Sequence, residues 1–80
     1  MDLYPNPTDR QLTIAWSGPG IGGETAGQLA IFDILGRRVH VRDLGWGAAA
    51  RLDVQDWAAG LYFARISAGA VSQTKPFLVR

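Results

Sequence analysis

One run in the chain spells out a cofactor motif: Gly18-Pro19-Gly20-Ile21-Gly22-Gly23, a GxGxxG that follows an alternating segment ending at Trp16. An acidic residue, Asp43, lies twenty positions beyond it. In a dinucleotide site the glycines open a helix whose N-terminus faces the pyrophosphate, and the acid binds a ribose hydroxyl. Here only Glu24 to Gly27 separate the glycines from the next strand-like run. No helix fits there, so the run reads as a loop between strands.

His40 is the only histidine. It falls mid-strand, on the face opposite Val39 and Val41, and alone it reads as a solvated surface group rather than a base or ligand. Asp53 and Asp56 could be cast as a carboxylate pair for glycoside hydrolysis, but raising one pKa needs a desolvating cleft that a chain of 80 residues cannot wall off. Their spacing also lacks the alternation of a calcium loop. Asp53 reads as facing solvent, and Asp56 as shaping the Trp57 turn by accepting hydrogen bonds from nearby amides. Cysteine is absent, which removes disulfides, thiolate zinc sites and thiol catalysis. No catalytic, cofactor or metal residue emerges.

Charge and composition narrow the classes further. Eight basic against seven acidic residues give a net charge of +1, with no cationic run longer than Arg37-Arg38. Nucleic-acid binding needs a basic stripe that displaces counterions, and none is present. No apolar run approaches the ~20 residues of a membrane span, and the basic start and apolar stretch of a signal peptide are missing. Leu, Ile, Val and Phe fill about a quarter of the positions, above the roughly one-fifth below which disorder is expected. A chain this short makes one domain with a single core. Met1 stands directly before a proline-rich turn, which reads as the start of a domain cut from a longer chain.

The elements that would position any site are strands. Asp2 to Asp9 carries Pro5 and Pro7 around Asn6, an extended approach that turns and starts no helix. Gln11 to Trp16 alternates, with Leu12, Ile14 and Trp16 on one side. Ser17 to Gly27 is glycine-rich loop. Gln28 to Ile34 is apolar on both faces and reads as a central strand. Leu35-Gly36 turns the chain into Arg37 to Asp43, a hairpin signal. Gly45-Trp46-Gly47 turns it again into Ala50 to Val54. Asp56 to Gly60 is the one stretch that could form a helical turn, too short to stand alone. Leu61 to Ser67 and Val71 to Arg80 are the last two strands, joined by Ala68-Gly69. Pro76 lacks an N–H, so the final strand must lie at an edge or carry a bulge there. Six or seven short strands, frequent turns and no amphipathic helix give an antiparallel sandwich. Its expected core is Leu12, Ile14, Leu29, Ile31, Val39, Val41, Leu52, Val54, Tyr62, Ala64, Ile66 and Phe77.

The tryptophans read differently from one another. Trp16 is core, and Trp57 caps one end of the sandwich. Trp46, flanked by glycines, reads either as an exposed ring able to stack on a sugar or partner, or as one folded back over an edge. Tyr62, two residues after the Gly60 corner, is placed to bond its hydroxyl to turn backbone.

Four passages, in order, resemble the C-terminal sorting domains of type IX secretion. Leu3-Tyr4-Pro5-Asn6-Pro7-Thr8 resembles their LYPNP opening. Ile31-Phe32-Asp33-Ile34-Leu35-Gly36-Arg37-Arg38-Val39 resembles their D-x-x-G-R hairpin. Leu52-Asp53-Val54 with Trp57-Ala58-Ala59-Gly60-Leu61-Tyr62-Phe63 resembles their L-D-V and G-x-Y passage, and Ala68 to Arg80 their terminal hairpin. The long Ser17–Gly27 loop and Pro76 depart from the pattern. The resemblance implies an immunoglobulin-like β-sandwich over residues 1–80, at the end of a larger secreted protein. It implies a non-catalytic signal that presents an N-terminal passenger to an outer-membrane translocon. In many members a sortase-type peptidase then removes the domain, and the passenger is joined to surface lipopolysaccharide. The protein would pass through the periplasm to the cell surface or medium.

On this reading Lys75, Pro76, Phe77, Leu78, Val79 and Arg80, with Gly60, Leu61 and Tyr62, form the recognition surface. Pro5, Asn6, Pro7, Asp33, Gly36 and Arg37 are its structural motif residues. Two other readings compete: an accessory carbohydrate-binding module using Trp46, which a row of coplanar exposed rings would favour, and a fibronectin-like spacer, which would tolerate loss of its last strand.

Overall fold

The computed structural model describes residues 2–8, 10–16, 27–45 and 49–80. Its strands are β1 (Asp2–Tyr4), β2 (Gln11–Ala15), β3 (Gly27–Asp33), β4 (Arg38–Gly45), β5 (Ala49–Asp53), β6 (Gly60–Ala68) and β7 (Val71–Val79). They form two antiparallel sheets, one ordered β1-β2-β5 and the other β4-β3-β6-β7. The alternating segments became strands within a residue or two of their expected limits. The additional element is β1, whose Leu3 lies opposite Ile14 of β2. The stretch before Gly60 forms turns and no helix.

The core lies between the sheets. Leu12, Ile14, Leu52 and Val54 from one side meet Leu29, Ile31, Tyr62, Ala64, Ile66 and Phe77 from the other, all buried. Each comes from a period-two position, which is how a strand supplies one face to a core. Trp16, Ala50, Ala68 and Val79 complete the cluster. Trp57 stands half-buried beside it, its ring centroid 5.2 Å from that of Tyr62 and 6.5 Å from that of Phe77.

Two expected core residues point the other way. Val39 is 47% and Val41 41% exposed, because the inward positions of β4 belong to His40, Arg42 and Leu44. His40 pairs with Ile31 and Arg42 with Leu29, both core residues of β3, whereas Val41 pairs with Ala30 on the outer face. A bulge between Ile31 and Phe32 places Arg38 opposite Phe32. As an edge strand, β4 forms the side wall of the sandwich, where long polar chains can span the gap. Arg42 does so, its Nη1 donating to the Arg51 carbonyl of β5 at 2.8 Å. His40 is accordingly no solvated surface group: its ring lies 6.0 Å from that of Trp57, and its Nε2 is buried with no hydrogen-bond partner among the described residues.

Further local expectations changed. Ile34 is not the end of a central strand but a turn residue, 70% exposed. It is Asp53 that shapes the turn ahead of Trp57, accepting from the Gln55 amide at 3.0 Å. Asp56 makes no such bond among the described residues. The GxGxxG run and Trp46 lie outside the described residues.

Candidate recognition site

At one end of the sandwich, passages from four separate parts of the sequence meet. The first is the β3–β4 turn. The Asp33 carbonyl accepts from the Gly36 amide, and the Asp33 amide donates to the Arg37 carbonyl. Its side chain closes the loop from outside: Oδ1 accepts from the Leu35 and Arg37 amides, and Oδ2 from Arg37 Nε, each at 2.9 Å. Gly36 adopts φ +81°, a left-handed conformation costly for a residue with a Cβ. The Arg37 amide, and then its guanidinium and the Leu35 amide, hold the Asp33 carboxyl below the usual aspartate range. The D-x-x-G-R spacing is thus a turn lock that fixes Ile34 and Leu35, 70% and 75% exposed, at the hairpin tip.

The second passage is the turn into β6. Tyr62 Oη donates to the Ala58 carbonyl at 2.7 Å, tying down the corner as its position suggested. Gly60 releases the chain at φ +150°. Between Asp33–Arg37 and Ala58–Tyr62 lies an open concavity of about 210 Å³. That is smaller than the ~300 Å³ at which small-molecule sites begin, so the corner suits surface contact better than capture of a cofactor.

The third and fourth passages are the two ends of the sequence, and their contact was not anticipated. Thr8 makes a parallel bridge to Val79. Its amide donates to the Leu78 carbonyl at 2.9 Å, and its carbonyl accepts from the Arg80 amide at 2.8 Å. Asn6 Oδ1 accepts from the Leu78 amide at 3.0 Å. The Thr8 side chain is buried, with Oγ1 donating to the Gln11 carbonyl at 2.8 Å. Pro5 and Pro7 flank Asn6 and are exposed. The LYPNP-type run therefore straps the outer edge of the final strand. Sequence spacing gave no warning, since Asn6 and Leu78 are 72 positions apart.

The proposed recognition residues divide on this geometry. Gly60 pairs with Val79, Leu61 with Leu78 and Tyr62 with Phe77, so they form one ladder. Phe77 and Val79, however, are 1% and 2% exposed and belong to the core. Leu61, Lys75, Pro76, Leu78 and Arg80 are the exposed members. The final strand is an edge strand, as Pro76 required, with no register shift opposite Phe63. Leu78 and Arg80 direct their amides to the open edge, and Pro76 shares their parity, so the missing N–H falls on the edge and not in the ladder. Among the described residues, no row of coplanar exposed rings forms, Tyr4 being the one aromatic side chain that is mainly exposed.

The family model described as "Secretion system C-terminal sorting domain" matches residues 2–80. The chain belongs to that family. The sorting domain has a similar fold to a DUF3244 family protein with an immunoglobulin-like β-sandwich from Bacteroides vulgatus, with a TM-score of 0.74. Identity is 18%, over 90% of this chain and 77% of that one, so the likeness speaks to fold alone. The comparison with curated proteins gives no match. The fold is thus an immunoglobulin-like sandwich, and the role that goes with the family is that of a type IX secretion sorting signal, which entails a passenger and a secretion machinery.

Proposed function

We propose that this sorting domain is a non-catalytic module read by the outer-membrane translocon, which then moves an N-terminal passenger of the same polypeptide from the periplasm to the cell surface or medium. The surface read is the corner where Leu61, Leu78, Pro76, Lys75 and Arg80 are exposed over the ladder of Gly60, Tyr62, Phe77 and Val79. One observation carries this reading: the motifs at the two ends of the sequence interlock there, through Asn6, Thr8 and Leu78. A recognition tag needs a fixed shape with an accessible face. Titrating groups in a desolvated cleft are the requirement of catalysis instead. A sortase-type peptidase acting after export fits the same scheme.

The test uses the full passenger–domain polypeptide in secreting cells. Deleting Phe77 to Arg80 is expected to leave the passenger in the periplasm, and normal surface delivery would remove the proposal. That deletion also takes away the buried Phe77. The paired variant is therefore Leu78→Asp, which alters an exposed side chain. It should lower surface delivery while the domain keeps its protease resistance. The fibronectin-like spacer reading predicts normal delivery from both variants.

A further inference from the structure

The four-stranded sheet has a second side. On its outer face Val39 and Val41 of β4 and Leu61 and Leu78 on β6 and β7 are exposed, and the half-buried Phe32 and Phe63 are cross-strand partners between them. Antiparallel sheets with one solvated face ordinarily carry polar residues there. Here an apolar band crosses from one edge strand to the other.

Charge is sorted in the same direction, although the net value conceals it. The four-stranded sheet, with its β3–β4 turn and the chain end, carries Arg37, Arg38, Arg42, Arg65, Lys75 and Arg80 against Asp33 and Asp43. The other described residues carry Arg10 and Arg51 against Asp2, Asp53 and Asp56. Two of these cations sit on the band itself: Arg38 opposite Phe32, and Arg65 opposite Ala30 and Thr74. Neither has an ion-pair partner among the described residues, where Asp33 is taken by Arg37. Asp43 lies at the far end, opposite Gln28.

We infer that this outer face docks onto a protein of the secretion machinery, whose matching surface is apolar at its centre and flanked by carboxylates. The inference rests on the sorting reading and names the chemistry of its partner. Unpaired guanidinium groups beside an apolar band suit carboxylates, which they bind with a two-pronged geometry that fixes register. A lipid surface is a poorer match, because recognition of anionic headgroups usually draws on about four to eight clustered cations. A second copy is also disfavoured, since a two-fold contact would bring two cationic faces together.

The experiment again uses the full passenger–domain polypeptide in secreting cells, with the ratio of surface to periplasmic passenger as readout. Arg38→Glu with Arg65→Glu is expected to lower that ratio roughly tenfold or more, as reversing interfacial charges does. Val41→Asn should lower it too, and Arg10→Glu with Arg51→Glu, away from this face, should leave it unchanged. Protease resistance of the periplasmic material checks folding, and Arg38→Gln with Arg65→Gln replaces the reversal should it unfold. Unchanged delivery from the face variants, with the domain-deleted passenger trapped, overturns the inference and leaves the sorting reading standing. Delivery without the domain removes both. Binding of the purified protein to phosphatidylglycerol vesicles that is lost on charge reversal would assign the face to lipid and overturn the inference. So would a dimer in sedimentation that is abolished by Val41→Asn.

Discussion

Single side chains hold the corner in shape, and two of them can be tested directly. Tyr62 is buried, with its hydroxyl on the Ala58 carbonyl. Tyr62→Phe keeps the ring against Trp57 and Phe77 and removes only that bond, so it should cost about 1 kcal/mol in urea unfolding. An unchanged midpoint would mean that packing alone sets the corner. Asp33 offers a test by pH. Its folded-state pKa is lowered, so its contribution to the turn is fully present above the unfolded carboxylate's value of ~3.9 and is lost as pH falls through the folded value below it. The Leu35 and Arg37 amide resonances should therefore titrate with a midpoint under the ordinary aspartate range, and that step should vanish in Asp33→Asn. A midpoint at or above the ordinary range would show that the carboxylate bonds do not form.

Among the elements, the final strand is the exposed liability of the fold. A sheet edge presents N–H and C=O groups that another chain can pair with. Here Asn6 and Thr8 occupy the Leu78–Arg80 end of that edge, and Pro76 removes the donor two residues earlier. Lys75 lies opposite Ala64, on the inward side of the sheet yet exposed, where its charge resists burial by a stacked neighbour. Pro76→Thr restores a donor on the edge while leaving the β6–β7 ladder intact. It should change stability by less than ~0.5 kcal/mol, as surface substitutions do, yet give concentration-dependent association in sedimentation. A variant that stays monomeric would show that the strap and Lys75 protect the edge without help from the proline.

For the whole molecule, the governing fact is the small core shared by both sheets. A domain of this size has a net stability of only ~4–12 kcal/mol. Phe77 is among its largest fully buried side chains and lies in the final strand, its ring 5.7 Å from that of Tyr62. Phe77→Ala should cost ~3–5 kcal/mol, a large part of that total. Calorimetry should show a fall in the domain's Tm of well over 10 °C, while Leu78→Ala, on the opposite face of the same strand, should shift it little. Equal effects from the two would contradict the division between core and outer face. The signal and the fold are therefore coupled in one strand, whose alternate residues serve each.

The residue pattern alone determined most of the architecture. Period-two runs in β2, β3, β5, β6 and β7 named ten of the buried side chains, from Leu12 to Phe77, and the Gly36 and Gly60 corners and the edge position of Pro76 followed from local backbone chemistry. Those features depend on neighbours a few positions away, and a sequence displays such neighbours openly. The orientation of β4 was different: alternation put Val39 and Val41 inward and His40 outward, and the structure reverses it. The packing of the two sheets turned His40 and Arg42 to the side wall and left Val39 and Val41 outside. The strap of Asn6 and Thr8 on the last strand, and the gathering of cations on one sheet, were likewise decided only in three dimensions. Each depends on which distant segments become adjacent, and that is set by closing the two sheets over a common core, not by any local preference.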